Sequence, residues 1–185
     1  MPIKPDYWII RMAEEQKMIE PFEKKQVRKG NISFGPSSFG YDIRLSADFK
    51  LFDPPADLVI DPKEMKEEYF RSIQTSQCAI APNSFLLGKS FEYLRMPDNV
   101  LGIVTGKSTY ARCGVIVNVT PLEPGWEGFL TISISNTSPC PVKLHSLEGI
   151  AQILFFESAE KCAVSYRDKK GKYQGQKDIT LSKIE

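Results

Sequence analysis

The sequence predicts a mainly β domain, a sandwich or barrel of short strands behind one N-terminal helix. Three observations predict it. Short runs of β-branched and aromatic residues recur along the chain, and Pro, Gly and Asn punctuate them at regular intervals. Apolar residues at helical spacing stand at the front, at Trp8, Ile9, Met12 and Ala13. A chain of 185 residues is the size of one ordinary domain, so 1–185 is read as a single unit.

The elements follow in order. Asp6 is placed to cap the helix, and Pro21 ends it, giving a helical segment within 1–22. Strands are expected at 41–45, 49–52, 84–87, 100–105, 115–119, 129–135 and 150–156. Turns fall at Asp53-Pro54-Pro55, Ala81-Pro82-Asn83, Pro124-Gly125 and Pro139-Cys140-Pro141. The charged stretch 62–71 has room for a second short helix. Residues 166–177 carry five Lys or Arg against one Asp. They read either as a solvated, partly disordered tail or as a mobile lid whose cations close over an anion.

Composition excludes several functions. Apolar residues are 42% and charged residues 25%, ordinary for a soluble globular domain. No apolar run approaches the ~18–20 residues of a membrane-spanning helix. The start, Met1 to Asp6, lacks the apolar core of a signal peptide, so a cytoplasmic protein is expected. A net charge of +1 argues against a duplex DNA binder. Cys78, Cys113, Cys140 and Cys162 form no C-x-x-C pair, so buried or half-buried free thiols are expected, Cys113 as a small filler. His145 is the single histidine, and no G-x-S-x-G elbow accompanies it. The H-x-E and P-C-x-x-C signatures of zinc nucleobase deaminases do not occur either.

Three segments carry candidate chemistry. Residues 106–114 follow an apolar strand and bring Lys107, Ser108, Thr109 and Arg112 together. Such a set suits a polyphosphate through charge-assisted hydrogen bonds, or forms an ordinary polar turn. It is not a P-loop: Leu101 stands where the first glycine belongs, and Gly102 is one residue too close. Residues 120–128 read as a tight turn with Glu123 and Glu127 exposed. Along 129–135, Leu130, Ile132 and Ile134 face one way, and Phe129, Thr131, Ser133 and Ser135 the other. That second face is fit to line a pocket or to meet water.

Together these segments resemble the dCTP deaminase family of the dUTPase-like superfamily. The resemblance rests on Ser37-Ser38-Phe39-Gly40-Tyr41-Asp42-Ile43-Arg44, on 106–114, on Asn118-Val119-Thr120-Pro121 and on Glu123-Pro124-Gly125-Trp126-Glu127-Gly128. It continues through Ser135-Asn136-Thr137, Glu148-Gly149-Ile150-Ala151-Gln152 and Lys172-Tyr173-Gln174-Gly175-Gln176. It implies a dUTPase-like β-barrel, a distorted jelly-roll, with a flexible C-terminal lid at 166–185, assembled as a homotrimer with shared sites. It implies zinc-independent hydrolysis of dCTP to dUTP and ammonia, with Mg²⁺ carried on the triphosphate and dTTP as a potential inhibitor. The same resemblance assigns the triphosphate and the attacking water to Lys107, Ser108, Thr109, Tyr110, Ala111 and Arg112, with Ser108 and Arg112 nearest the chemistry. Thr131, Ile132 and Ser133 would read the pyrimidine through backbone groups. Glu123 would stand near the sugar, and Gln152, Tyr166, Lys172 and Gln176 would contact the nucleotide.

One position departs from the pattern. The family carries a glutamate on the polar face of this strand, in a pattern like Leu-Glu-Ile-Ser-Asn. Here the residues are Ile132-Ser133-Ile134-Ser135-Asn136, so Ser133 takes the place of the catalytic acid/base. A serine hydroxyl is neither a competent base nor a readily recharged acid near neutral pH, and loss of a positioned base costs ~10²–10⁴-fold. The sequence leaves three readings open: impaired catalysis, a substitute carboxylate at Glu123 or Glu127, or a nucleotide-binding module without turnover. A bifunctional enzyme that also splits the triphosphate, giving dUMP, is a further alternative.

Overall fold

The computed structural model describes residues 2–184; Met1 and Glu185, the ends of the expected 1–185 domain, lie outside the described residues. Helix α1 (Asp6–Gln16) buries Trp8, Ile9, Met12 and Ala13, the expected stripe. Its N-cap is Pro5, and Asp6 stands in the first turn, its Oδ1 accepting the Tyr7 N–H at 2.8 Å. The helix stops at Lys17, in the left-handed region at φ 52°, ahead of Pro21. Asp6 and Pro21 are therefore not the start and stop signals that the sequence suggests.

The rest is mostly strand: β1 (Ile19–Glu20), β2 (Gly35–Ser37), β3 (Gly40–Phe52), β4 (Phe70–Gln74), β5 (Gln77–Ile80) and β6 (Ser84–Arg95). Then come β7 (Val100–Gly106), the short helix α2 (Ser108–Ala111), β8 (Val115–Asn118), β9 (Glu127–Asn136), β10 (Val142–His145) and β11 (Gly149–Glu157). The stretch 62–71 yields only a 3₁₀ turn at Glu67–Tyr69 before β4. Without an apolar stripe of its own, it has nothing with which to dock a longer helix.

A nine-stranded sheet runs β7-β11-β3-β6-β9-β8, with β2 and β4 also on β3 and β1 on β6. Its two ends bend toward each other: a Cβ added at Gly106 of β7 would lie 3.4 Å from Val117 of β8. The result is a nearly closed, barrel-like sheet. A separate ribbon pairs β10 with β5. Inward residues from every long strand fill the interior, including Tyr41, Ile43, Leu45, Phe49, Leu86, Leu94, Ile132, Ile134, Ile153 and Phe155.

Strand β9 shows the alternation read from the sequence, with Leu130, Ile132 and Ile134 buried and Thr131 and Ser133 half-buried. It pairs along its length with β6, but with β8 only from Asn136 back to Ser133, whose partner is Asn118. Beyond Asn118 the chain turns through Val119, Thr120 and Pro121 and leaves the edge of β9. A gap opens beside Thr131.

Candidate active site

That gap is a cavity of about 380 Å³. Thr131 and Ser133 form its polar side, and Asn118, Thr120, Glu123, Tyr166 and Gln176 stand around it. Met65, Phe70, Phe85 and Leu87 make an apolar wall. The wall is stiffened by ring contacts, Phe52 stacking on Phe85 at 4.5 Å and Phe70 meeting Phe85 edge-on at 6.3 Å. Long segments of the sequence thus meet in one place because β8 diverges while β6 stays paired.

The C-terminal segment lies across this cavity in an ordered course. Trp126 Nε1 donates to the Tyr173 carbonyl at 2.9 Å, and the Gly175 N–H donates to the Glu127 carbonyl at 2.9 Å. Gln176 is the main tie. Its carbonyl accepts the Phe129 N–H, and its Nε2 donates to the Phe129 carbonyl at 2.9 Å and to Thr131 Oγ1 at 2.6 Å. Thr131 Oγ1 also accepts the Thr180 N–H at 3.0 Å. Further out, Lys89 Nζ lies 3.3 Å from Asp178 and 2.8 Å from Asp48. The solvated-tail alternative therefore does not describe this segment.

The backbone ties also fix which peptide groups face the gap. Both the N–H and the carbonyl of Phe129 point to the edge away from β6, toward Gln176. With a period of two, those of Thr131 point the same way and those of Ile132 point to β6. Ile132 is fully buried and serves the core. Of the three expected base readers, Thr131 presents both side chain and backbone to the opening, and Ser133 presents its hydroxyl.

The segment 106–114 lies elsewhere in this chain. Lys107 Nζ sits 2.6 Å from Asp42 Oδ2, with both side chains largely buried. Gln152 Nε2 donates to the other oxygen of Asp42 at 3.1 Å and to Ser37 Oγ at 2.8 Å. Tyr110 is a core residue whose hydroxyl accepts the His145 N–H at 3.0 Å; burial pushes its phenol pKa up. Ala111 and Arg112 are exposed, and Arg112 Nη1 donates to the Ser108 carbonyl at 3.0 Å. None of residues 107–112, nor Gln152, lines the cavity at Ser133. Lys172 is also absent from it, its ammonium spent on the Lys183 carbonyl at 2.7 Å.

Of the two carboxylates considered as substitutes, Glu123 lines the cavity and Glu127 does not. Glu123 Oε2 is engaged by Lys169 Nζ at 2.9 Å, and that hydrogen bond raises the pKa of Lys169. Among the described residues no three His, Cys, Asp or Glu side chains converge on a potential metal position. All four cysteines are free thiols; Cys78 is buried, but Cys113, Cys140 and Cys162 are exposed, contrary to the expectation. The turn holding Cys113 sits outside the sheet, where a small filler has no core to fill.

Sequence reasoning missed the wall of Met65, Phe70 and Phe85 and the cover from Thr180, Leu181 and Ser182. The phenylalanines carry only a strand signal, and nothing local says that strands so far apart share a pocket with the tail.

Comparison with known proteins accords with this architecture. The dCTP deaminase-like family model matches residues 3–158. The dCTP deaminase of Herminiimonas arsenicoxydans is 55% identical over 187 residues, covering 99% of this chain and 100% of that protein. The dCTP deaminase of Campylobacter jejuni is 54% identical over 184 residues, covering 100% of this chain and 99% of the relative. The crystal structure of 2′-deoxycytidine 5′-triphosphate deaminase from Agrobacterium tumefaciens superposes with a TM-score of 0.64 at 14% identity. It covers 84% of this chain and 48% of that one, and shows a shared fold. With a family model spanning most of its length and full-length relatives above half identity, this chain belongs to the dCTP deaminase-like family.

Proposed function

We propose that this chain binds MgdCTP and deaminates it hydrolytically to dUTP and ammonia, at a rate lowered by Ser133. The single observation that carries the reading is the cavity beside Thr131 and Ser133, on the strand where the family resemblance puts base recognition and proton transfer. Its size suits a nucleoside. The full-length likeness to dCTP deaminases supplies the substrate.

The substrate and the water enter at Ser133. The water oxygen bonds to the ring carbon bearing the amino group; one of its protons ends on the adjacent ring nitrogen and the other on the amino group, so that the carbon–nitrogen bond breaks, ammonia leaves and the oxygen remains as the uracil carbonyl. Thr131 meets the pyrimidine through its backbone N–H and carbonyl. Tyr166 and Gln176 close over the ring and sugar, and Glu123, held by Lys169, stands at the sugar end. Ser133 supplies a hydroxyl for orientation, while proton transfer falls to solvent, which the short side chain admits.

Ser108, Arg112 and the rest of 107–112 do not line this cavity in their own chain. A homotrimer in which a neighbouring copy brings that segment to the cavity fits the separation. In it, Arg112 and Ser108 would hold the triphosphate and frame the water. The single unit 1–185, with 166–185 as the closing lid, fits the same arrangement. The reading extends to a cytosolic enzyme of pyrimidine deoxynucleotide supply, with dTTP as an inhibitor of the same site; the full-length likeness to dCTP deaminases supports the nucleotide chemistry.

Separation of nucleotides after incubation with dCTP and Mg²⁺ tests the reading. Slow accumulation of dUTP is expected. Saturable dCTP binding without product would favour a silent binding module, and dUMP with pyrophosphate would favour the bifunctional alternative.

A further inference from the structure

A second cavity, of about 760 Å³, opens on the chain away from Ser133 and shares no lining residue with the first. Arg28, Asn31, Thr109, His145 and Glu148 stand around it. Thr109 belongs to the segment assigned by resemblance to the triphosphate, and it is the residue of that segment that reaches this cavity.

The charges there differ from those the sequence suggests. Lys107, the first cation of the segment, is neutralised by Asp42 at 2.6 Å in a mostly buried pair. It therefore brings little net charge to a ligand. Arg28 pairs with no carboxylate among the described residues. Its Nε donates to Gln26 Oε1 at 2.6 Å, and Gln26 Nε2 donates to Asp42 Oδ2 at 3.2 Å. This chain of bonds fixes the stem of the guanidinium and leaves both terminal nitrogens free. Glu148, the one carboxylate in the cavity, accepts the Ile32 N–H at 2.7 Å and sits 4.0 Å from His145 Nδ1. One oxygen of that carboxylate is thus taken up by a backbone donor of its own chain.

We propose that Arg28, with Thr109 and His145, holds the terminal phosphates of the nucleoside triphosphate and sets the preference for triphosphate over monophosphate. This rests on the nucleotide reading above, with the base end supplied by a neighbouring copy's cavity. A guanidinium oriented through Nε presents its other two nitrogens as a fork, which matches two phosphate oxygens.

Isothermal titration of the full chain with dCTP, dCMP and inorganic tripolyphosphate, each with Mg²⁺, tests the proposal against Arg28→Gln and Arg28→Lys. The wild-type chain should prefer dCTP to dCMP. Arg28→Gln should lose about tenfold or more of that preference, the worth of one charge-assisted contact, with dCMP affinity unchanged. Arg28→Lys should restore part of it, and tripolyphosphate binding should weaken in parallel with that of dCTP. An unchanged dCTP-to-dCMP ratio in Arg28→Gln would overturn the phosphate role. Tripolyphosphate binding that depends on Arg28, in a chain that ignores dCTP and dCMP alike, would keep the anion site and overturn the nucleotide reading instead. No binding of any of the three would overturn both.

Discussion

At the scale of single residues, Thr131 and Ser133 decide what the cavity can do. Thr131 Oγ1 receives two hydrogen bonds from the C-terminal segment, from Gln176 Nε2 and from the Thr180 N–H. Thr131→Val keeps the shape and removes both. Each such bond is worth about 0.5–1.5 kcal/mol, so the segment should be cleaved several-fold faster by trypsin at Lys177. Cleavage at the wild-type rate would show that the segment is held by its other contacts alone. Ser133 is the opposite case, because its importance lies in what it lacks. By the family resemblance Ser133 stands where a proton carrier belongs, and a hydroxyl has no means of carrying a proton in both directions near neutral pH.

At the scale of elements, two charge clusters, one buried and one open to solvent, tie the strands of the barrel together. Arg44 of β3 donates from Nε to Glu92 Oε1 of β6 at 2.7 Å, and its backbone N–H reaches Glu92 Oε2 at 2.9 Å. Its guanidinium also lies between the Phe34 and Phe91 rings, at 4.7 and 4.5 Å. Both residues are buried, and without the Glu92 charge Arg44 keeps only the half-buried Glu23, 3.2 Å from its Nη1. Glu92→Gln should cost about 3 kcal/mol in a denaturant titration, and a loss below 1 kcal/mol would contradict this. The second cluster joins β3 and β6 to the tail through Lys89. The Lys89 hydrogen bond holds the Asp48 carboxyl below its ordinary value, with Gln74 and Ser46 adding to it. A lowered folded value means stability that is present above the unfolded pKa of about 3.9 and lost as pH falls through the lowered one. Asp48→Asn should flatten the acid limb of the stability curve and leave the curve's shape near pH 7 unchanged. The strands that the sequence shows best are those with clean alternation, such as β9. It shows β4, β5 and β10 poorly, because they sit at the periphery and draw their stability from pairing partners far along the chain. Asp6 and Pro21 mislead for a related reason: local signals mark a helix end only where no nearby residue ends it first, and Lys17 does so here.

At the scale of the whole molecule, the fold class was legible from composition and turn spacing, and the site only in part. Glu123, Thr131, Ser133, Tyr166 and Gln176 do meet in one cavity. Lys107, Tyr110 and Gln152 do not, because each is committed to a partner elsewhere in the chain that no linear motif announces. The separation of 107–112 from the cavity is the physical reason to expect assembly, and sedimentation should give a species of three chains; a monomer that still turns over dCTP would contradict the shared site. The central claim is that an intact deaminase site lacks only its acid/base. Single-turnover conversion of dCTP by the wild-type chain and by Ser133→Glu, at equal occupancy, tests it most directly. The glutamate should raise the rate of dUTP formation by ~10²–10⁴-fold with little change in dCTP affinity. Equal rates, or a glutamate variant that binds dCTP and forms no dUTP, would contradict it.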